Sequence, residues 1–335
     1  MSRKTSEMDK KNKGAGRVVP VYRSVEEIPA GFGPSVAAIG TFDGVHLGHR
    51  EILQAVVAEA SELAALGRGV RSVAITFDPH PEQYLRPATA PKLLTPMPER
   101  LRLLAETGID AVLVLKFDVA LAELPAKEFV QRILVDALGV RSLHEGGNFH
   151  FGHQAEAGVE ELRQFGVGCG FGVQVHSAVH VHGLEVSSSA IRALVAAGDL
   201  RRARWMLGRP FAVRSTQARG RGIGTRLLVP TVNLAAYDGL LPDLGVYVTR
   251  LTVWGDGGGR SFQSVTNVGN RPTFGEDSFA VESHILDFEA VEMDEQTPIE
   301  LEFMMRLRGE MKWPSPEALK EQIFRDVARA KRYFR

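Results

Sequence analysis

The chain has 335 residues, with 40 basic side chains against 40 acidic ones and no formal net charge. That balance speaks against broad nucleic-acid binding, and the length predicts two domains, each able to bury its own core. The single cysteine, Cys169, excludes an internal disulfide, and with no long apolar run and no secretory-type segment the expected location is the cytoplasm, without a membrane span.

Residues 1–17 are rich in Lys, Ser, Gly and Glu and nearly devoid of apolar side chains, which predicts a disordered tail. Val36 to Ile39 then reads as a short buried strand. Glu51 to Leu66 carries Ile52, Leu53, Val56, Val57 and Leu63 at helical spacing. Between the two runs G-T-F-D-G-V-H-L-G-H, from Gly40 to His49. Gly40, Gly44 and Gly48 allow close approach of the backbone to a ligand. A helix beginning near His49 aims unpaired N–H groups and a partial positive charge at the turn. His46 and His49, three apart, face one point in front of it. The set suits an anionic phosphate better than a metal, because no cysteine or carboxylate cluster accompanies it.

Further along, Val70–Phe77 and Ala111–Phe117 are apolar runs of strand length, while Pro98–Glu106 and Ala126–Leu138 have helical spacing. Alternating strands and helices predict a parallel sheet covered on both faces, with ligands outside the carboxyl ends of its strands. One such end reads T-F-D-P-H-P, Thr76 to Pro81, a loop and a candidate pocket wall. G-G-N-F-H-F-G-H follows at Gly146–His153. Cys169, in G-V-G-C-G-F-G, reads as an inert thiol in a tight connection. V-S-S-S-A-I-R, Val186 to Arg192, taken alone is a helix N-cap.

Gly198 to Pro210 is a helix closing on a glycine and a proline, and beyond it the texture changes. Gly245–Trp254, Phe262–Val268, Ala280–Phe288 and Ile299–Arg306 are β-branched and aromatic runs at short spacing, which predict an antiparallel barrel. Ser315 and Pro316 suit the N-cap and first position of a last helix. Its stripe of Leu319, Ile323, Val327, Ala330 and Phe334 is expected to cover the barrel's side.

The Gly40–His49 run resembles the nucleotide-binding signature of the HxGH nucleotidyltransferases, and the chain as a whole resembles the bacterial bifunctional riboflavin kinase/FMN adenylyltransferases, or FAD synthetases. The resemblance covers nearly everything after the tail. It implies a Rossmann-like α/β nucleotidyltransferase domain over 18–198 and an antiparallel β-barrel riboflavin kinase domain with a C-terminal helix over 199–335. For the first domain it implies catalytic roles for His46, His49 and Arg192. ATP contacts fall on Gly40, Phe42, Asp43, Gly48, Ser187, Ser188 and Ser189, and flavin contacts on Asn148 and Phe149, where Asn148 and His150 stand for the family's Asp and Arg. For the second domain it implies P-T-V-N, with Thr231 and Asn233 holding Mg²⁺ and ATP phosphates. It further implies Gly220 and Gly224 in a phosphate-covering loop, Glu282 as base, and Arg308 near the flavin ring. Leu228 and Val229 replace a glycine and an aromatic in the family's G-R-x-L-G-F-P-T-A-N. The implied activity makes FMN and then FAD from riboflavin and two ATP, with small molecules rather than nucleic acid or membrane as partners. A single-function FMN adenylyltransferase with a weak kinase module, and a flavin-binding regulatory protein, are the alternatives.

Overall fold

The computed structural model of the chain describes residues 18–67, 69–218, 231–255, 258–270, 279–287 and 293–335. The expected tail, the loop holding Gly220 and Gly224, Leu228, Val229, Pro230 and residues 271–275 lie outside these. Contacts divide the chain into two compact units: one holds the residues up to Phe42 with His49–Ala90 and Leu101–Ser177, the other Asp43–Gly48, Pro91–Arg100 and Ala178–Arg335. No single cut separates them, because compactness follows contacts rather than chain order.

In the first unit, β1 (Val21–Tyr22), β2 (Ser35–Ile39), β3 (Arg71–Asp78), β4 (Ala111–Lys116), β5 (Val140–Gly146) and β6 (Gly172–His176) form one parallel sheet in the order β1-β4-β3-β2-β5-β6. Helix α1 (Leu47–Ala65) starts ahead of the apolar stripe that predicts it. It is followed by α2 (Pro81–Leu85), α3 (Met97–Ala105), α4 (Val119–Ala122) and α5 (Ala126–Phe129), which runs on as a π-helix over Val130–Ala137, and then α6 (Val159–Cys169). β2 is buried along its whole length, as a strand covered on both faces must be. Its Ala37 and Ile39 share a core with Ile75, Leu113, Leu143, Phe129 and Leu134.

Strand order reverses between β2 and β5, which makes that gap the topological switch point of the sheet. There the ladder ends at the pair Ala38–His144, and the next N–H, of Ile39, donates instead to Glu145 Oε1 at 2.7 Å. Burial pushes the Glu145 carboxyl well above the ordinary carboxylate range, which favours a neutral acid at this position.

The second unit contains the hairpin β7 (His180–Val181) and β8 (Leu184–Glu185), then α7 (Ser188–Ala196) and α8 (Leu200–Leu207). Six antiparallel strands follow: β9 (Phe211–Thr216), β10 (Thr231–Asn233), β11 (Gly245–Gly255), β12 (Gly258–Asn270), β13 (Phe279–Ile285) and β14 (Pro298–Gly309), in the order β10-β13-β12-β11-β14-β9. A bridge between Gln217 and Leu234 joins the two edge strands, so the sheet closes as a barrel. β9 and β10 are not legible in the sequence: both are short, and P-T-V-N reads as a turn. Ile191, Val195, Leu200, Ala203, Met206 and Leu207 of α7 and α8 pack into one core with Phe211, Tyr247, Leu251 and Phe303.

The last helix, α9 (Pro316–Tyr333), is capped by Ser315, whose Oγ accepts from Ala318 N at 3.2 Å. Its predicted stripe packs only in part. Val327, Ala330 and Phe334 reach the barrel residues Val246, Val248 and Leu307, whereas Leu319 and Ile323 are 37% and 38% exposed. The packed face takes in Asp326, buried and ion-paired with Arg308, so it is displaced from the simple apolar stripe. Among the described residues no helix is long and apolar enough to cross a membrane.

Two candidate active sites

The G-T-F-D-G-V-H turn leaves β2 through an unusual backbone. Phe42, Gly44 and Val45 have φ of 47°, 87° and 37°. A left-handed β-branched residue such as Val45 is strained by about 1–3 kcal/mol and persists only where the surroundings over-determine it. Gly44 is required on two counts, since a Cβ there would also come within 2.9 Å of Leu94 Cδ1.

What over-determines the turn is a set of polar contacts inside the second unit. The Asp43 carboxylate, fully buried, accepts from Leu94 N at 3.0 Å, Thr95 N at 2.9 Å and Thr95 Oγ1 at 3.2 Å. Arg192 Nη2 donates to its Oδ2 at 3.0 Å. Gly44 N donates to Thr95 Oγ1 at 2.8 Å, and Ser188 Oγ donates to the Asp43 carbonyl at 2.8 Å. Arg209 Nη2 donates to the Gly44 carbonyl at 2.7 Å and its Nη1 to the Val45 carbonyl at 3.3 Å.

Of the serines, Ser187 caps α7 by accepting from Ala190 N at 3.2 Å, Ser188 is tied to the turn, and Ser189 is exposed. The second unit thus brings Asp43, His46, Gly48, the three serines and Arg192 into one neighbourhood. His46 is buried, with its ring against Gly48, where a Cβ would lie 3.3 Å from the ring. Burial is the largest influence on His46, which is lowered to about 4; the Arg209 and Arg192 cations lower it further, and Asp43 opposes them. His46 is therefore a neutral imidazole at pH 7, carrying one N–H donor and one acceptor.

In the first unit, His49 stands in the opening turn of α1, edge-on to the Phe42 ring at 5.3 Å between centroids. Gly40 lies under that same ring, where a Cβ would meet Phe42 Cε1 at 3.1 Å. After β5, Phe149 N closes a turn on the Gly146 carbonyl at 3.1 Å; Phe149 stacks on Phe151 at 5.4 Å, and Asn148 is exposed. The D-P-H-P stretch is not simply a loop. His80 is buried and caps α2, its Nδ1 accepting from Glu82 N at 3.2 Å.

The barrel site follows from register. Asn233 pairs with Glu282, Glu282 with Asn267, Asn267 with Val246, and Val246 with Arg308. Directly opposed residues share a face, so Asn233, Glu282, Asn267 and Arg308 lie in one row across five strands. The adjoining row on that face begins with Thr231 and His284. The sequence leaves the orientation of Glu282 open, whereas its neighbours Val281 and Ser283 are buried and Glu282 itself is exposed. Arg308 donates from Nε to Asp326 Oδ2 at 2.9 Å and lies 5.3 Å from the Trp313 ring centroid, so α9 holds one side of its guanidinium.

Thr95 and Arg209 belong to the Asp43 and turn networks and were missed as site residues by sequence reasoning. Thr95 and Arg209 carry no local signal, since L-T-P and G-R-P read as turn punctuation. Asn267 opens N-V-G-N-R-P-T-F-G, which resembles a loop of the FAD synthetase family near the flavin, and its place in the Glu282 row comes from register. Among the described residues no group of three or more His, Cys, Asp or Glu is placed to hold a metal ion.

Comparison with known proteins bears on both units. A family model described as FAD synthetase matches residues 29–190, and one described as riboflavin kinase matches 207–334. A bifunctional riboflavin kinase/FMN adenylyltransferase of Pseudomonas fluorescens is 38% identical over 297 residues, covering 88% of this chain and 92% of its own. That of Escherichia coli K12 is 33% identical over 300 residues, covering 89% and 92%. The crystal structure of a macrolide-efflux protein from Streptococcus pneumoniae superposes with a TM-score of 0.80 at 23% identity, over 94% of this chain and 99% of that one, a likeness of fold.

Proposed function

This chain belongs to the family of bifunctional riboflavin kinase/FMN adenylyltransferases, and on that premise we propose how its two sites divide the work. Riboflavin is phosphorylated by ATP to FMN, and FMN is then adenylylated by a second ATP to FAD with release of pyrophosphate. We place the protein in the cytoplasm, the compartment that supplies ATP, and we assign the first step to 199–335 and the second to 18–198 with the contacts that reach it from α8.

In the kinase step Glu282 takes the proton of the riboflavin 5′-hydroxyl as that oxygen bonds to the γ-phosphorus and the bond to ADP breaks. Thr231 and Asn233 offer neutral hard oxygens on the same face as the Glu282 carboxylate, a donor set that fits Mg²⁺. The ion, when bound, neutralises phosphate charge. Gly220 and Gly224 remain assigned to the loop over the phosphates, and Arg308, held by Asp326, to the flavin ring.

In the adenylyl step an FMN phosphate oxygen bonds to the α-phosphorus of ATP while the α–β bridging bond breaks. No base is required, because the FMN phosphate is already anionic. His46 and His49 act as hydrogen-bond donors to the transferring phosphate, and Arg192 supplies a fixed cation for the departing charge. Gly40, Phe42 and Gly48 shape the turn; Ser187, Ser188 and Ser189 present the α7 N-terminus to the phosphates. Asn148 and Phe149 are assigned to the flavin. Asp43 is assigned to holding Arg192 rather than to ATP itself, since its carboxylate is buried behind protein donors.

One observation carries the two-step reading over an adenylyltransferase with an idle barrel: the single register row that joins Asn233, Glu282 and Arg308. The test is to mix the protein with riboflavin, ATP and Mg²⁺ and resolve FMN and FAD over time. FMN should rise first and FAD follow. Conversion of added FMN to FAD without any FMN made from riboflavin would overturn the kinase assignment.

A further inference from the structure

Arg209 lies outside the segment matched by the FAD synthetase model and inside the segment matched by the riboflavin kinase model. Its guanidinium nevertheless reaches the H-x-G-H turn. We propose that Arg209 is a positioning residue of the adenylyltransferase site, holding the left-handed Gly44–Val45 backbone in the form that presents His46. The proposal rests on reading that turn as the adenylyl-transfer site.

The geometry is a two-sided clamp. On one side Arg209 donates to the carbonyls of Gly44 and Val45 at 2.7 and 3.3 Å, the two residues with φ of 87° and 37°. On the other side Nη1 also donates to the Leu207 carbonyl at 3.3 Å, at the last residue of α8. The final carbonyls of a helix lack intrahelical partners and carry partial negative charge, so a cation there is held in place. Gly208, left-handed at φ 70°, closes α8, and a Cβ on it would come within 2.7 Å of Leu47 Cδ2, the first residue of α1. The end of α8 therefore abuts the turn, and Arg209 fastens the one to the other. A planar guanidinium reaches three carbonyls at fixed angles; a lysine ammonium in its place has no such fork.

The clamp has an electrical consequence that a purely structural role lacks. Three charged groups face His46: Asp43, Arg192 and Arg209, of which the two arginines disfavour its protonation. Removing the Arg209 charge should raise the pH at which the His46 ring titrates.

The experiment uses full-length Arg209→Met and Arg209→Lys with His46→Ala as reference. Four quantities are read: FAD formed from FMN, FMN formed from riboflavin, melting temperature, and the His46 ring titration by NMR. Arg209→Met should lower kcat for FAD formation on the order of a hundredfold, as small misplacements of reacting groups do, with a lesser change in KM. Kinase turnover should stay near that of the parent, and the His46 titration should move to higher pH. Arg209→Lys should restore the His46 titration but little of the FAD-forming rate. Parental FAD formation in Arg209→Met, or equal losses in both activities with a fallen melting temperature, would overturn the role of Arg209. Parental FAD formation in His46→Ala would instead sink the reading of the turn itself, so the two failures are distinct.

Discussion

Arg192 Nη2 lies 3.0 Å from Asp43 Oδ2, and this pair ties the middle of α7 to the carboxylate of the H-x-G-H turn. Asp43 is fully buried and also accepts from Leu94 N, Thr95 N and Thr95 Oγ1, so its charge is satisfied without solvent. Two elements far apart in sequence are in this way locked together around one buried carboxylate.

Asp43→Ala should destabilise the protein by roughly 3 kcal/mol, because it strands the Arg192 cation and two N–H donors. Asp43→Asn keeps an acceptor and the shape but loses the charge. Its melting temperature should fall less, while FAD formation from FMN drops and FMN formation from riboflavin persists. Thermal melts and the two assays run side by side test this; equal loss of both activities in Asp43→Asn would count against a local role.

His46→Ala and His49→Ala should each suppress FAD formation on the order of a hundredfold or more while sparing the kinase step. Timed product analysis with FMN and ATP decides it. Either variant working at the parent rate would remove that histidine from the site.

Stability should depend on pH through two groups of opposite sign. His46 is lowered from 6.5 to about 4, so the unfolded chain binds the extra proton between those values. Stability from this residue is complete above pH 6.5 and falls by up to about 3 kcal/mol as pH drops towards 4. Glu145 is raised well above 4.5, so here the folded chain retains a proton that the unfolded one has lost, and stability falls as pH rises above 4.5. His46→Gln should flatten the acid limb of a plot of melting temperature against pH. Glu145→Gln, which keeps an acceptor for Ile39 N, should flatten the other limb. Unchanged slopes in these variants would contradict the assignments.

Glu282→Gln should abolish most riboflavin phosphorylation and leave adenylylation of added FMN intact, because glutamine keeps the reach but accepts no proton. A small residual rate is expected, since phosphoryl transfer leans more on positioning than on a base. Kinase turnover equal to the parent's would remove Glu282 from the site.

Most elements could be read from local pattern. Val36–Ile39, Val70–Phe77 and Ala111–Phe117 announce buried parallel strands by being apolar without interruption, and the β-branched runs from Gly245 to Arg306 announce the antiparallel sheet. Hydrophobic period is a property of neighbouring residues, so it survives in the bare sequence. The H-x-G-H turn, the serines before α7 and the P-T-V-N element were equally visible as motifs, because each is a contiguous run of residues.

Tertiary structure alone decided how these pieces are held. Asp43 finding Arg192, Arg209 finding the Gly44 and Val45 carbonyls, and Asp326 taking a place in the packed face of α9 are pairings across 149, 165 and 18 positions. Nothing in a local window marks which carboxylate a guanidinium will reach. The same holds for Glu282, whose face became definite only when its register against Asn233 and Asn267 was set. The sequence by itself determined the element types and the chemistry on offer. The partner of each charge, and the line of residues across the barrel, came from the register and packing that only the folded chain possesses.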